Sequence, residues 1–303
     1  MADVTDVAFR RIIAKYGKPD VTWTEFVSAD GLSRAPEEGR KKLLKDLEYS
    51  ESERPIVAQF FTSKPEYMFN AAKLAKELGF DGIDINMGCP DQGVNRQGAG
   101  ACLIRTPEVA QALIRAAKDG GSGLPVSVKT RLGWNQDELE TWLPALLKEK
   151  PAVITVHART RKEMSKVPAR WERVKRAVEI RNELGSEVLI FGNGDAKDIA
   201  HARELVAETG ADGVMLGRAI FGNPWLFSER VPTLEEKLQV MVEHTKLFEE
   251  LLGGIKNFNI MKKHYKAYVK DFDGANELRA RLMETQSAGE VEKIVSEFLL
   301  TLE

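Results

Sequence analysis

The chain has 303 residues, of which 43% are hydrophobic and 30% charged, with a formal net charge of −2. That is enough apolar material for one large core, or for a large domain with a smaller one, and so small a net charge supplies no global field for nucleic acid; any such surface has to be local. Two cysteines make no disulfide framework and no zinc-site spacing, and neither a run of about 18 apolar residues nor a signal-peptide core is legible, so a metal-free protein of the reducing cytoplasm is expected, without a membrane span; the expected oligomeric state, on which no residue pattern bears, is a monomer.

In chain order, β-branched or apolar runs occur at residues 21–27 (VTWTEFV), 55–61 (PIVAQFF), 82–88 (GIDINMG), 126–132 (VSVKTRL), 152–158 (AVITVHA), 187–193 (EVLIFGN) and 213–219 (GVMLGRA); each is expected to be a strand. Helical periodicity fills most of the gaps. Lys64-Pro65-Glu66 precedes YMFNAAKLAKEL and Thr106-Pro107-Glu108 precedes VAQALIRAAK, and both place proline at the first helical position, where no N–H is needed. Alternating strands and helices predict right-handed βαβ units and a parallel sheet, either doubly wound or closed as a TIM (β/α)8 barrel.

The polar residues at the C-terminal ends of these runs favour the barrel. They are Glu25, Gln59, Asn86 with Cys89, Lys129 with Arg131, His157 with Arg159, Asn193 with Asp195, and Arg218. An open sheet needs such residues at one switch point, whereas a barrel gathers all its strand ends around one mouth. Lys129 and Arg131 lie two apart, so both point to the same face, which is costly unless an anionic or electron-rich ligand lies there.

The last two runs end FGNGD and LGRAIFGNPW, so backbone N–H groups can approach a ligand without side-chain obstruction, as a phosphate requires. With Lys129 and Gln59 facing the same mouth, flavin mononucleotide (FMN) is the expected ligand: the ammonium suits the anionic edge of a reduced flavin, and the amide suits its pyrimidine edge.

MADVTDVAFR, QFF at Gln59, NMGCP with the later GAGACL, VKTR, VHART, GNGD and GRAIFGNPW occur in this order, and together they resemble the tRNA-dihydrouridine synthase family. The resemblance runs from Met1 to about Trp225 and continues more loosely through MKKHYKAYVKDFDGANELRARL. It implies an FMN-containing TIM barrel followed by a small helical domain, reducing the C5=C6 bond of particular tRNA uridines with electrons from NADPH or NADH. Hydride then goes to C6 and a proton to C5 from the other face. Cys89 matches the family's catalytic acid, and a thiol with an ordinary pKa near 8.5 holds its proton at neutral pH. Met1, Ala2, Gln59, Lys129, His157, Asn193, Gly194, Asp195, Gly217 and Arg218 match flavin and phosphate positions. Asn86 and Arg131 are expected on the substrate side, as donors to carbonyls that gain negative charge. Cys102, among Ala101 and Leu103, is expected to be a small buried apolar residue.

The chain departs from the family in two places. The family carries a first strand ahead of its Met-Ala pair, so this chain is expected to lack the first barrel strand, with the native product starting upstream. The loop NRQGAG at residues 95–100 stands where many relatives have a lysine-containing, more hydrophobic one. A dihydroorotate dehydrogenase-like FMN barrel and a non-catalytic RNA-binding module are the alternatives.

The domain boundary is expected at ERVPT, giving a catalytic barrel over residues 1–230 and a helical tRNA-binding domain over 231–303. Thr233 with Glu236 forms a capping box that opens LEEKLQVMVEHTKLFEELL. Residues 255–270 (IKNFNIMKKHYKAYVK) hold five lysines and no acidic residue. Lysines suit phosphates, and Phe258, Tyr265 and Tyr268 are expected to be available for packing or stacking on nucleotides; Lys262, Lys263 and Lys266 are the candidate tRNA contacts.

Overall fold

The computed structural model describes Met1 and residues 3–301. Its elements, in chain order, are α1 (Val7–Tyr16), β1 (Thr22–Ser28), α2 (Ala29–Arg34), α3 (Glu37–Lys45), β2 (Ile56–Phe61), α4 (Pro65–Glu77), β3 (Gly82–Met87), α5 (Gln92–Arg96), α6 (Pro107–Gly121), β4 (Val126–Arg131), α7 (Leu139–Leu147) and β5 (Val153–His157). There follow α8 (Trp171–Glu183), β6 (Leu189–Asn193), α9 (Ile199–Thr209), β7 (Gly213–Met215), α10 (Leu234–Leu252), α11 (Met261–Tyr268), α12 (Ala275–Glu284) and α13 (Ala288–Leu299). The chain divides into two compact units, one of Val21–Leu47 with Arg54–Gly217, the other of Met1–Asp20, Glu48–Glu53 and Arg218–Glu303.

The first unit is a seven-stranded parallel sheet in the order β1 to β7, with helices between the strands: a (β/α) barrel sheet whose described edges are β1 and β7. Every expected strand is present, though β7 stops at Met215, short of residue 219, because Arg218–Ile220 turns into a 3-10 helix. Strands covered on both faces need near-continuous burial, and every residue of β3 is buried. Helices α4 and α6 begin at Pro65 and Pro107, each at the first helical position. Met68, Ala71, Ala72 and Ala75 form the buried stripe of α4, and Ala110, Leu113, Ile114 and Ala117 that of α6. Leu113→Ala would cost roughly 2–5 kcal/mol through lost transfer energy and a cavity.

Register decides which strand residues share a face. Gln59 pairs with Asp84 and Asp84 with Ser127; Asn86 pairs with Lys129 and Lys129 with Thr155; Arg131 pairs with His157 and His157 with Asn193. Side chains alternate along each strand, so these rows stand on one face, one above the next. The intervening Ile83, Ile85, Val126 and Val128 are buried on the other.

The second unit is helical. Thr233 Oγ1 accepts the Glu236 N–H at 3.1 Å and the Glu236 carboxylate accepts the Thr233 N–H at 2.9 Å, completing the expected capping box, and α10 spans the expected LEEKLQVMVEHTKLFEELL. Val7 and Ala8 of α1 join Leu238, Met241, Phe248 and Leu278 in its core, so α1 groups with the C-terminal helices. Arg10 is buried and its Nε meets Glu53 at 2.7 Å, with a further bond from Nη1 to the Thr5 carbonyl at 2.9 Å. His244 stacks on Phe9 at 4.8 Å and meets His264 edge-on at 4.6 Å. Among the described residues, no helix is long and apolar enough to cross a membrane.

Candidate active site at the strand ends

Cys89 follows β3 in a turn held from three sides. Asn86 Oδ1 accepts the backbone N–H groups of Gly88 at 3.1 Å and Cys89 at 2.9 Å, a local alternative to the ladder that short amide side chains supply. Arg131 Nε donates to the Gly88 carbonyl at 2.7 Å, while its Nη1 donates to the carbonyls of Thr160 at 3.1 Å and Met164 at 3.0 Å. The Cys89 carbonyl accepts the Ala101 N–H at 3.0 Å. That approach requires Gly100, which has φ +63°, and whose absent Cβ would lie 2.8 Å from the Cys89 oxygen. NMGCP and GAGACL, eleven or so residues apart in sequence, are thus two sides of one turn.

Burial pushes the half-buried Cys89 thiol above its usual pKa, against the pull of Arg131 and Lys129, so it carries its proton at neutral pH. Burial acts in the opposite direction on the cations. It lowers Lys129 to about 8, helped by repulsion from Arg131, and lowers Arg131 to about 10. Lys129 therefore remains mostly protonated near pH 7, with Nζ donating to Asn193 Oδ1 at 3.1 Å. Asn193 Nδ2 donates to the Met215 carbonyl at 2.7 Å, which leaves its oxygen for Lys129.

Below this layer, Gln59 Nε2 donates to Asp84 Oδ2 at 2.7 Å, and Asn86 Nδ2 donates to Gln59 Oε1 at 3.1 Å. Ser127 Oγ donates to Asp84 Oδ1 at 2.5 Å. Asp84 has no exposed surface, and burial raises its pKa, opposed by the bonds from Ser127 and Gln59 and by the charge of Lys129.

The GNGD turn after β6 is equally constrained. Arg159, 2% exposed, donates from Nη1 to His157 Nε2 at 3.1 Å, pairs through Nη2 with Asp195, and donates from Nε to the Val167 carbonyl at 2.6 Å. Arginine only donates, so His157 Nε2 accepts, which places the proton of the neutral ring on Nδ1. Asp195 also accepts the Ala169 N–H at 2.8 Å, and Trp171 Nε1 donates to the Gly194 carbonyl at 2.8 Å. Gly194 has φ +122°, and a Cβ there would lie 2.9 Å from Ala169 Cβ and 3.2 Å from His157 Cδ2.

Gln59, Asn86, Cys89, Lys129, Arg131, His157, Asn193, Gly194 and Asp195 thus stand at neighbouring strand ends of one unit, and Gly217 follows β7 in the same unit. Arg131 and Asp195 are mostly engaged in holding backbone and neighbours. Met1, Arg218, Lys262, Lys263 and Lys266 belong to the helical unit; Ala2 lies outside the described residues. The Met1 backbone nitrogen donates to Thr5 Oγ1 at 2.7 Å. Lys263 and Lys266 are exposed on α11 and Lys262 is half-buried.

Two expectations are corrected. Tyr265 and Tyr268 are fully buried with Met261 and His264 on the inner face of α11, since the 3.6-residue repeat turns those four positions together, so neither tyrosine is available for stacking on nucleotides. Cys102 is only partly buried: the 3-10 turn Gly100–Arg105 directs Ala101, Leu103 and Ile104 inward and leaves Cys102 between them on the outer side. Sequence reasoning also passed over Asp84, Ser127 and Thr155. The signal was present, as polar residues recurring at every second position inside apolar strands, ahead of the strand ends.

Against known proteins, the family model described as "Dihydrouridine synthase (Dus)" matches residues 1–302. The chain is 40% identical over 302 residues to a "Probable tRNA-dihydrouridine synthase" of Staphylococcus aureus, covering 98% of this chain and 91% of that protein. It is 41% identical over 303 residues to "Probable tRNA-dihydrouridine synthase 2" of Bacillus subtilis, covering 98% and 92%. Among solved structures, morphinone reductase in complex with tetrahydroNAD aligns with TM-score 0.52 at 14% identity over 74% of this chain and 81% of that one. A 2-naphthoyl-CoA reductase complex aligns with TM-score 0.57 at 11% identity over 76% and 46%. At such identities these two are similar in fold alone.

Proposed function

The chain belongs to the dihydrouridine synthase family, and from that premise we propose that it is an oxidoreductase that reduces the C5=C6 bond of uridines in tRNA to 5,6-dihydrouridine. The observation that carries the reading is a half-buried thiol just past β3, in a turn held by Asn86 and Arg131, with the Lys129–Asn193 pair of β4 and β6 in the same unit; burial favours its protonated form.

FMN is the proposed cofactor, and the residues fit it. Lys129 gives one hydrogen bond to Asn193, so two ammonium N–H groups remain for an anionic ring edge, and Gln59 keeps a second amide N–H. Thr155, paired in register with Lys129, buries a hydroxyl that has no partner among the described residues. Gly194 is a proposed phosphate contact on the family resemblance. The remaining contacts, from Met1, Ala2, His157, Asn193, Asp195, Gly217 and Arg218, rest on the family resemblance. When bound, FMN supplies the hydride that saturates C6 of the uracil, and NADPH or NADH is the proposed electron source.

The chain's own part is to orient and to give a proton. Cys89 donates from Sγ to C5, and burial keeps that proton in place until the acceptor arrives. Asn86 keeps one N–H beyond that given to Gln59, and Arg131 keeps Nη2; both are proposed donors to the uracil carbonyls as charge develops. Lys262, Lys263 and Lys266 are proposed to meet tRNA phosphates.

The test is single-turnover oxidation of the FMN-loaded, pre-reduced protein by tRNA from a strain that lacks dihydrouridine, followed by mass mapping. Flavin reoxidation matched by dihydrouridine at defined positions is expected. Absence of dihydrouridine with a fully loaded protein would refute the reading.

A further inference from the structure

We propose that Asp84 is a positioning residue for uridine reduction: its buried carboxylate orients the Gln59 amide, and through Gln59 and Asn86 it sets the turn that carries Cys89. The inference rests on the function proposed above and goes beyond it, since Asp84 touches neither the thiol nor a ligand-facing surface.

The direction of the relay is fixed from its far end. The N–H groups of Gly88 and Cys89 only donate, so Asn86 turns Oδ1 to them at 3.1 and 2.9 Å. Its Nδ2 is then left for Gln59 Oε1, at 3.1 Å, and Gln59 is obliged to present Nε2 to the next group. Only an acceptor can end such a chain, and Asp84 Oδ2 does so at 2.7 Å. A flipped amide at either link would set two donors or two acceptors against each other in a buried site, where an unmade hydrogen bond is costly.

A fully buried carboxylate is an expensive way to end a relay, which makes its presence informative. Among the described residues no lysine or arginine forms an ion pair with it; Ser127 supplies the second hydrogen bond, and Lys129, two residues along β4, supplies an attracting charge. Asp84 thus fixes which edge of the Gln59 amide is turned inward. The Gln59 amide keeps one N–H beyond that given to Asp84. Burial favours the neutral carboxyl, and the two hydrogen bonds with the lysine charge oppose that.

The experiment uses the full chain carrying Cys102→Ser, so that Cys89 is the only thiol. Iodoacetamide alkylation across roughly pH 7–10 reports both the reactivity and the pKa of Cys89. Asp84→Ala is expected to free the turn, lower the thiol pKa toward its unburied value and speed alkylation at neutral pH by about threefold or more. In the same variant, single-turnover uridine reduction falls about tenfold or more through misplacement of the thiol, with the apparent affinity for tRNA unchanged. Asp84→Asn keeps an acceptor for Gln59 and a partner for Ser127, and is expected to restore both readouts to within about twofold.

Gln59→Met cuts the relay one link on and leaves Asp84 in place, so it has to reproduce the faster alkylation; it decides the matter if Asp84→Ala does not fold. A wild-type alkylation profile in Asp84→Ala or in Gln59→Met overturns the proposal, as does an Asp84→Asn variant as impaired as Asp84→Ala. Alkylation is read without tRNA, so a wild-type protein that forms no dihydrouridine would defeat the proposed function and leave this test intact.

Discussion

The barrel unit and the helical unit both bury polar side chains, in opposite ways. At the strand ends, the side chains of Gln59, Asp84, Asn86, Lys129, Arg131 and Asn193 each have a partner, and donor and acceptor sense propagates from Asn86 through Gln59 to Asp84. In the helical unit, His244 and His264 are wholly buried and, among the described residues, none of their four ring nitrogens has a partner; the Tyr268 hydroxyl is in the same position. Such groups cost roughly 1–3 kcal/mol each when left unmade. The rings stay neutral and pack as aromatics on Phe9 and Phe221. A buried histidine is therefore no sign of a site by itself, whereas a directed polar network is. Thr155, the unpartnered hydroxyl beside Lys129, stands where a ligand is proposed.

The largest expected effect tests the barrel side of this contrast. If the network exists to place a proton donor, Cys89→Ala should lower single-turnover uridine reduction on the order of 10²-fold or more, with flavin content unchanged. An intact rate in Cys89→Ala with loss in Cys102→Ala would move the acid to the other turn.

Acid should find the helical unit first. Burial lowers the pKa of both histidines, His264 to about 3 with help from Lys263, while the unfolded chain titrates near the ordinary 6.5. Between those values the unfolded state binds protons that the folded state refuses, so stability is fully present above about pH 6.5 and is lost as the pH falls. The loss is about 1.4 kcal/mol per histidine for each pH unit, or about tenfold in the unfolding constant. Hydrogen exchange in α10 and α11, corrected for its intrinsic pH dependence, should show that slope, and His264→Phe should reduce it by about half. An unchanged slope in His264→Phe would mean that the ring is solvated.

The smallest effect separates the outside of α11 from its inside. Replacing Lys262, Lys263 and Lys266 together by alanine should raise the apparent KM for tRNA and reduce its log–log salt slope by roughly 0.7 to 0.9 for each lost phosphate contact. Flavin binding and oxidation of the proposed donor, NADPH or NADH, should be unchanged. A salt slope equal to wild type would place the RNA surface elsewhere.

Local physics made much of this protein legible in sequence. The strands at Gln59, Asn86, Lys129, His157 and Asn193, the prolines that open α4 and α6, and the Thr233–Glu236 box depend on side-chain periodicity and on partners three or four residues away, so nearby residues suffice to infer them. That the polar strand-end residues would be gathered together was legible because a barrel gathers strand ends whatever its helices do. Tertiary structure alone decided the rest. Asp84 lies 25 residues from Gln59 and 43 from Ser127 in sequence, and they meet only because parallel register sets the three side by side. Tyr265 and Tyr268 became core rather than a nucleotide platform because α10 and α12 cover the inner face of α11, leaving its lysines outside. The same chain segment supplies both faces, and which one meets water depends on neighbours distant in sequence, because burial is a property of what packs against a helix and not of the helix itself.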